Sequence, residues 1–148
     1  MNKISLFIIT VIFFYSCSYE PMMVGKNYNF KFDIINTSGE KEINEIIKQK
    51  LVKKSKGDKV YNIKFITKKD KLTISSNEKG DPTVFELSVN LNYEIYNENS
   101  LLNKNIIQKK ITYNNIKDKF ELLKYEEDII KSLSENISDE ILRSISSL

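Results

Sequence analysis

The feature that most constrains the fold of this chain is an unbroken alternation of apolar and polar residues at positions 85–95. The apolar file comprises Phe85, Leu87, Val89, Leu91, Tyr93 and Ile95, and the polar file comprises Glu86, Ser88, Asn90, Asn92 and Glu94. A period of two is typical of a β-strand with one dry face and one wet face. At about 3.3 Å per residue, this strand is roughly 35 Å long. The pattern therefore predicts the middle of an antiparallel sheet.

The chain turns after this strand, at residues 97–100, and then returns as a second strand. The return strand is less regular, because Asn103, Asn105 and Lys109 interrupt its apolar file. Residues 83–114 are thus predicted to form one long β-hairpin. We expect its second strand to lie at an edge of the sheet or to face a partner.

Two segments have the spacing of amphipathic helices. Thr37, with Glu40 three residues later, offers an N-cap for a helix over residues 39–54, and isoleucine and leucine follow on one face. A second helix is predicted over residues 118–147, about 45 Å long and able to lie along the hairpin. Its apolar face is predicted to include Ile116, Phe120, Leu123, Ile129, Ile130, Leu133, Ile137, Ile141, Ile145 and Leu148.

Two further strands are predicted before the hairpin. Alternation that begins at Tyr28 indicates the first strand, and alternation over 61–65 indicates the second. The lysine-rich segment 68–71 either ends the second strand or turns within it, and residues 72–75 are able to continue it. Residues 77–82 contain Gly and Pro and are predicted to form a loop.

The N-terminus has the composition of a secretory signal. A single lysine precedes an apolar run at residues 4–15. That run is shorter than the roughly 20 residues that a membrane-spanning helix needs. We therefore expect residues 1–16 to be a signal peptide and the chain to be exported.

The position of the only cysteine makes this segment more informative. Phe-Tyr-Ser-Cys at 14–17 resembles the lipobox of bacterial lipoproteins, in which the thiol is acylated and becomes the mature N-terminus. The alternative is an ordinary signal peptide with a chance or buried thiol. An unpaired thiol is a liability in an exported protein, so acylation is the favoured interpretation. Cys17 is thus the predicted lipidation site, and residues 17–27 the tether.

Lysines are concentrated in the first half of the domain, between residues 41 and 71, whereas acids dominate residues 121–140. Lys68, Lys69 and Lys71 are candidate contacts for an anionic lipid, because ammonium groups attract phosphate. The competing interpretation is a solvated lysine surface, which an AT-rich genome would produce without selection for binding. Nucleic acid is not an expected partner of an exported lipoprotein.

The composition argues against catalysis. The chain has no histidine, and its one cysteine is the predicted lipidation site. Triads that need histidine and sites built from histidine and cysteine are therefore excluded. The acids at 126–128 are consecutive on a predicted helix, where neighbours do not share a face. We expect no enzymatic activity, no cofactor and no metal site.

Three local patterns resemble the lipopolysaccharide-assembly lipoprotein family LptE, in its alphaproteobacterial form. Cys-Ser-Tyr-Glu-Pro-Met at 17–22 is similar to the mature start of that family, and Tyr-Glu-Ile-Tyr at 93–96 resembles the end of its third strand. Thr-Tyr-Asn at 112–114, followed by Phe120 and two acids, is similar to its junction between the last strand and the last helix. The resemblance covers essentially the whole mature chain.

This resemblance implies a fold and a function. The implied fold is α+β, a two-layer α/β sandwich over residues 28–148 with the order β-α-β-β-β-α, in which two helices cover one face of a mostly antiparallel four-stranded sheet. The implied role is that of a lipid-anchored, periplasm-facing outer-membrane lipoprotein. It would act as plug and assembly partner of the LptD β-barrel and contact lipopolysaccharide. The candidate barrel-contact residues are Glu86, Ser88, Asn90, Asn92, Glu94, Asn97 and Asn99.

A different class of protein has a similar layout. An auxiliary lipoprotein subunit of an ABC-type phospholipid transport system also joins a lipobox to an α/β domain. Such a subunit would bind other transporter subunits and would not fill a barrel.

Overall fold

The computed structural model describes residues 28–148, which form four β-strands and two α-helices. In chain order the elements are β1 (Tyr28–Gly39), α1 (Lys41–Lys54), β2 (Ser55–Ser76), β3 (Pro82–Asn97), β4 (Ser100–Asn114) and α2 (Lys119–Ser146). The predicted order of elements and the α+β class are confirmed. The predicted signal peptide and tether lie outside the described residues.

The four strands form one sheet in the order β1-β2-β3-β4. The three strands β2, β3 and β4 pair antiparallel, and β1 pairs parallel with β2. The sheet is therefore mostly antiparallel, as predicted. The irregular return strand β4 lies at an edge, which is one of the two positions that its pattern indicated.

Strand β2 is longer than the sequence pattern required. The lysine-rich segment 68–71 is strand throughout and pairs with residues 87–90 of β3. The predicted loop that follows is present, and Asn77 closes it. The Oδ1 atom of Asn77 accepts from the backbone amides of Lys79 and Asp81, each at 2.9 Å.

Both helices pack on one face of the sheet, which we call the covered face. It carries the odd-numbered side chains of β2, β3 and β4, and Phe65, Leu91 and Ile95 among them are at most 1% exposed. On the helix side of this layer, α1 contributes Ile47 and α2 contributes Ile137 to the core, and both are fully buried. Burial of each such side chain contributes about 1.5–3 kcal/mol, so this layer is the core of the domain.

The two helices also contact each other directly. The Lys50 Nζ atom of α1 lies 2.8 Å from Asp139 Oδ2 of α2 and 3.0 Å from the Glu135 carbonyl oxygen. Next to this bond, Ser134 and Ser138 are fully buried and donate back to carbonyl groups one turn earlier in α2. The helices are thereby fixed relative to one another above the sheet.

The start of α1 differs from the sequence prediction. Thr37 does not cap the helix, because β1 continues through it to Gly39 and pairs there with β2. The N-cap is Glu40, whose side chain makes no capping hydrogen bond. Thr67 Oγ1 of β2 accepts from the Glu40 amide at 3.1 Å and donates to Asn44 Oδ1 at 2.7 Å, which ties the start of α1 to the sheet. Gly39 has φ +94°, and a Cβ there would lie 1.9 Å from the Thr67 carbonyl oxygen, so this corner requires glycine.

The second helix begins as predicted, but its first two turns are more exposed than predicted. Asp118 is its N-cap and accepts from the amides of Phe120 and Glu121 at 2.8 and 3.0 Å. Phe120 and Leu123 were predicted to be core residues and are instead 79% and 60% exposed. Leu123 precedes the buried Ile130 by seven residues, a rotation of about 700°, so the two share a side of α2, and the helical period gave no sign that this end would stay exposed.

A polar and aromatic cluster holds this end of α2 on the covered face. The carboxylate of Glu126 lies 2.6 Å from both the Tyr113 hydroxyl and Lys71 Nζ, and only 13% of its side chain is exposed. Lys71 Nζ also lies 4.2 Å from the ring centroid of Phe85, and Tyr113 packs edge-on against Tyr125. Burial, and then the bond to Glu126, raise the pKa of Tyr113 above its ordinary value.

Candidate functional site

The face of the sheet opposite the helices, which we call the open face, carries the candidate contact residues. The even-numbered side chains of β2, β3 and β4 lie on this face because side chains alternate along a strand. Its cross-strand rows follow from the register. They are Lys64–Glu94–Lys104, Ile66–Asn92–Ile106, Lys68–Asn90–Gln108 and Asp70–Ser88–Lys110.

The predicted contact residues of β3 form the central row of the open face, as their alternation required. They are not equally accessible. Asn92 is exposed, the side chains of Glu86 and Glu94 are 17% and 25% exposed, and Ser88 is buried at 6%. The expectation that Ser88 is exposed was therefore wrong. It lies between the longer side chains of Asp70 and Lys110, which flank it on the neighbouring strands.

Glu94 is the most strongly held carboxylate of this row. Lys104 Nζ lies 2.8 Å from its Oε1, and the Tyr96 hydroxyl donates to its Oε2 at 2.7 Å. These two donors, Lys104 first, lower the pKa of Glu94 below its ordinary value of 4.5. The bond to Glu94 in turn raises the pKa of both Lys104 and Tyr96. At neutral pH this group is a fixed ion pair.

Similar bonds connect the rest of the central row to its neighbours. Lys110 Nζ lies 3.0 Å from Glu86 Oε2 on β3. Asn90 Nδ2 donates to Asp70 Oδ2 at 3.3 Å, and Lys68 lies 2.8 Å from the same carboxylate. Most polar groups of the open face are therefore already oriented by cross-strand bonds. A ligand or partner would therefore form hydrogen bonds either with Asn92 or with groups that already take part in these cross-strand bonds.

Sequence reasoning missed the apolar part of the open face. Ile66 and Ile106 lie on either side of Asn92 and are 48% and 67% exposed. Together with Lys64 and Lys104 they line a shallow depression of about 490 Å³. The sequence did contain an indication of this apolar surface, because isoleucines occupy even positions in strands whose odd-numbered residues form the core. Their cross-strand alignment became evident only from the register.

The turn between β3 and β4 carries the remaining predicted contact residues. Asn97 and Asn99 are exposed at its two sides. Glu98 between them has φ +52°, the left-handed conformation that closes this tight turn. These two asparagines are exposed at the end of the sheet, and Asn97, an odd-numbered residue of β3, is not on the open face by alternation.

The three candidate lysines for anionic lipid do not form one cluster. Lys68 lies on the open face, where it pairs with Asp70. Lys69 and Lys71 occupy odd positions opposite Val89 and Leu87, so they lie on the covered side of the sheet. Lys71 is also engaged with Glu126. Alternation along β2 separates neighbours in sequence, so these candidate contacts are divided between the two faces of the sheet.

Three further expectations concern groups that the structure addresses only partly. Cys17, the predicted lipidation site, lies outside the described residues. Within residues 28–148, no three side chains of His, Cys, Asp or Glu are grouped so as to hold a metal ion. Over the same range, neither helix combines the length and the apolar character that crossing a membrane would require.

The geometry defines a class of protein: a two-layer α+β sandwich whose sheet has one face covered by helices and one open face of aligned polar rows. No family model matches the chain, and no curated protein matches it in sequence. Solved structures do share the fold, and their names are those of bacterial lipoproteins.

Three of these structures illustrate the similarity. Rare lipoprotein B from Shewanella oneidensis has a TM-score of 0.59 and 17% identity, over 78% of this chain and 95% of that chain. Lipoprotein B from Nitrosomonas europaea has a TM-score of 0.61 and 19% identity, over 84% and 89%. A minor lipoprotein from Acinetobacter baumannii has a TM-score of 0.56 and 11% identity, over 81% and 93%. At these identities the comparison shows a shared fold.

Proposed function

We propose that this chain is a non-catalytic outer-membrane lipoprotein that acts as plug and assembly partner of an LptD-like β-barrel and contacts lipopolysaccharide. The observation that carries the proposal is the open face, a long sheet surface with a polar central row that neither helix covers. Two further facts support it: the resemblance of local sequence patterns to LptE, and a fold shared with solved lipoproteins.

The polarity of the open face suits the interior of a barrel. Strands of an outer-membrane barrel alternate apolar and polar residues, so the lumen is lined by polar side chains. A plug must therefore offer hydrogen-bonding groups in fixed positions. Asn92 on the open face and the turn residues Asn97 and Asn99 at the end of the sheet are exposed amides. The ion pairs of Glu86 and Glu94 keep the side chains between them ordered.

The depression on the open face suits contact with a lipid that is both anionic and acylated. Ile66 and Ile106 supply an apolar floor, and Lys64 and Lys104 stand beside it. Ammonium groups bind phosphate as point charges, while the isoleucines offer surface to hydrocarbon. Acylation of Cys17 would hold the domain at the membrane, on a tether that reaches at most about 35 Å.

Capture of the full chain from outer membranes tests the proposal. We expect a large outer-membrane β-barrel to remain bound in nearly equal amount, together with lipopolysaccharide, when the bound material is identified by mass spectrometry. Recovery of inner-membrane permease subunits would instead support the phospholipid-transporter alternative. Recovery of neither would contradict the plug function.

A matched pair of variants locates the contact. Ile66→Glu places a charge on the open face, and Val52→Glu places the same charge at a position of α1 with a similar exposure of 54%. We expect Ile66→Glu to lower the amount of captured barrel and Val52→Glu to leave it unchanged. Equal loss in both variants would indicate a general effect of charge or folding and would count against contact through the open face.

A further inference from the structure

The described chain begins at one end of the domain, where three segments meet. Tyr28, the first residue of β1, pairs with Ser55, the first residue of β2, and α1 ends immediately before Ser55 at Lys54. We call this end, which comprises residues 28–31 and 53–60, the tether end, because the predicted tether joins the domain at Tyr28. It lies opposite the end at which β2 passes into β3 and α2 begins.

The tether end extends beyond the hairpin of β3 and β4. Asn62 of β2 pairs with Tyr96, and the hairpin turns after Asn97, one residue further on. The residues of β2 that precede Asn62 therefore extend past the turn, and their strand partners are in β1. The residues that line the depression on the open face all lie outside this end.

Four lysines are concentrated at the tether end: Lys53, Lys54, Lys56 and Lys59. Lys54 is half-buried, and the other three are exposed. Asp58 is the one acid in this stretch of sequence, and none of the four lysines forms an ion pair within residues 28–148. Other lysines, by contrast, are held by carboxylates of the domain, namely Lys50, Lys68, Lys71, Lys104, Lys109 and Lys110. The ammonium groups of the tether end are therefore available to an external anion.

Two of these lysines also line a depression between the helices. Lys53 and Lys54 of α1 and Lys131 of α2 stand around a space of about 330 Å³, with Glu135 on its wall. Lys50 lies there too, but it is already ion-paired. Three unpaired ammonium groups outnumber the one carboxylate that lines this space, which favours a phosphate.

We propose that the tether end binds the anionic phospholipid headgroups of the leaflet that holds the acyl chains of Cys17. The length of the preceding chain supports this occupant. Residues 17–27 span at most about 35 Å when extended, so the end of the domain that carries them stays near the membrane. Charge supports it too, because each lysine near an anionic membrane surface strengthens binding about fivefold. Acyl chains combined with a basic surface bind a membrane more firmly than either does alone.

A membrane surface fits these lysines better than a free anion does. They lie in two elements, α1 and β2, and only Lys53 and Lys54 line the depression between the helices. A layer of headgroups presents phosphates to all four lysines at once, whereas one free phosphate reaches only some of them. The contact therefore orients the domain, with its tether end on the membrane.

The inference does not rest on the proposed function, because any lipoprotein acylated at Cys17 carries this end toward the membrane. It is also compatible with a single chain inside a barrel. There the tether must leave through the mouth of the barrel to reach the leaflet, and the tether end is the end that it leaves. The open face, with Ile66, Asn92 and Ile106, stays available to the barrel and to the lipid that contacts it.

Binding of the mature chain to vesicles tests the proposal without the contribution of the acyl chains. The chain comprises residues 17–148 with Cys17→Ser, and the vesicles consist of phosphatidylcholine alone or of phosphatidylcholine and phosphatidylglycerol in equal parts. We expect the chain to sediment with the mixed vesicles only. This binding should be lost at about 0.5 M salt, where screening shortens the range of charges to about 4 Å.

Two matched quadruple variants locate the contact. The first combines Lys53→Gln, Lys54→Gln, Lys56→Gln and Lys59→Gln. The second loses the same charge near the opposite end, at four exposed lysines that form no ion pair within residues 28–148, namely Lys79, Lys117, Lys119 and Lys124. We expect the first variant to lower the partition coefficient on mixed vesicles more than about tenfold and the second to lower it about twofold or less. Changing the four tether-end lysines to arginine keeps the charge and should keep the binding, and circular dichroism checks that each variant is folded.

Amine labelling tests the same contact without any substitution. The full chain, purified from membranes with its acyl chains, is reconstituted into either kind of vesicle, and acetylation of each lysine is followed by mass spectrometry. We expect the four tether-end lysines to react several-fold more slowly in mixed vesicles, because anionic headgroups shield them and favour the protonated amine. The four lysines near the opposite end should react at the same rate in both.

Three results would overturn the proposal. They are equal sedimentation with both kinds of vesicle, an equal loss of binding in the two quadruple variants, and equal acetylation rates in both kinds of vesicle. Displacement of the chain from mixed vesicles by inorganic phosphate, but not by chloride at the same ionic strength, would also contradict membrane contact, because it would show that the lysines select a free anion. None of these results bears on capture of a barrel, which the open-face variants test.

Discussion

The two faces of the sheet share the same strands and the same alternation but are stabilised differently. Leu91 and Asn92 are neighbours on β3, yet Leu91 is fully buried under the helices while Asn92 is exposed between two isoleucines. Apolar packing holds the covered face together, and cross-strand ion pairs organise the open face. The difference teaches that stability resides on one face, which leaves the other free to carry a contact surface.

Carboxylates show the same contrast. Glu126 on the covered side is nearly enclosed and receives hydrogen bonds from Tyr113 and Lys71. Glu94 on the open face receives the equivalent pair of bonds from Tyr96 and Lys104, and its side chain is 25% exposed. The two sites offer the same chemistry at different burial, so they allow a direct test of what burial contributes.

The largest expected effect comes from neighbouring truncations on β3. Leu91→Ala should lower the free energy of unfolding by about 2–5 kcal/mol, because it leaves a cavity in a fully buried site. Asn92→Ala should change it by no more than about 0.5 kcal/mol. Urea denaturation of both variants measures the difference, and equal losses would mean that the open face is packed against something in the folded protein.

Loss of a tyrosine hydroxyl should matter on one face only. Tyr113→Phe removes a bond to the enclosed carboxylate of Glu126 and should lower the free energy of unfolding by about 1.5–3 kcal/mol, the range for bonds to charged groups. Tyr96→Phe removes the bond to Glu94 and should leave the denaturation midpoint unchanged. Equal midpoints for the two variants would contradict the assigned difference in burial.

A third pair compares threonines. Thr67→Val deletes the hydroxyl that accepts from the Glu40 amide and leaves the buried Asn44 Oδ1 without its donor, so we expect the free energy of unfolding to fall by about 1–2 kcal/mol. The matched control is Thr112→Val, at an exposed position of β4 on the open face. Thermal unfolding should separate the two, and an unchanged midpoint in Thr67→Val would show that another group satisfies Asn44 Oδ1.

The smallest effect on stability is expected when the pH is lowered until Glu94 is protonated. The folded pKa of Glu94 lies below its ordinary value of 4.5 because Lys104 and Tyr96 donate to the ionised form. Ionised Glu94 therefore stabilises the folded state above its unfolded pKa, and the contribution disappears as the pH falls through the folded pKa. An NMR titration of its carboxyl carbon should show the low midpoint, and Lys104→Met should raise it. An unchanged midpoint in that variant would exclude the ion pair as the main cause.

Much of the fold could be predicted because local patterns and tertiary packing agree. The alternation around Leu91 specified a strand and its faces, and Asp118 marked the start of α2. Where they disagreed, the pairing of distant strands was decisive. Thr37 has the character of a cap, but the pairing of β1 with β2 continues past Thr37 to Gly39, and α1 begins only after Glu40.

The candidate site was predictable in part. The polar row of β3 was evident from its period, but the burial of Ser88 depends on side chains contributed by two other strands. The three candidate lysines are divided because adjacent strand residues face opposite ways, so Lys68 and Lys69 lie on different sides of the sheet. The depression at Asn92 required the register of Ile66 and Ile106, which no local pattern encodes.

By itself the sequence determined which residues form strands and helices, which side chains of β3 share a face, and where α2 begins. These properties depend on period and on contacts within a few residues. Only the tertiary structure decided which isoleucines remained exposed and how the lysines were divided between the faces. Those properties depend on register between strands distant in sequence, where a shift of one residue moves every side chain to the opposite face.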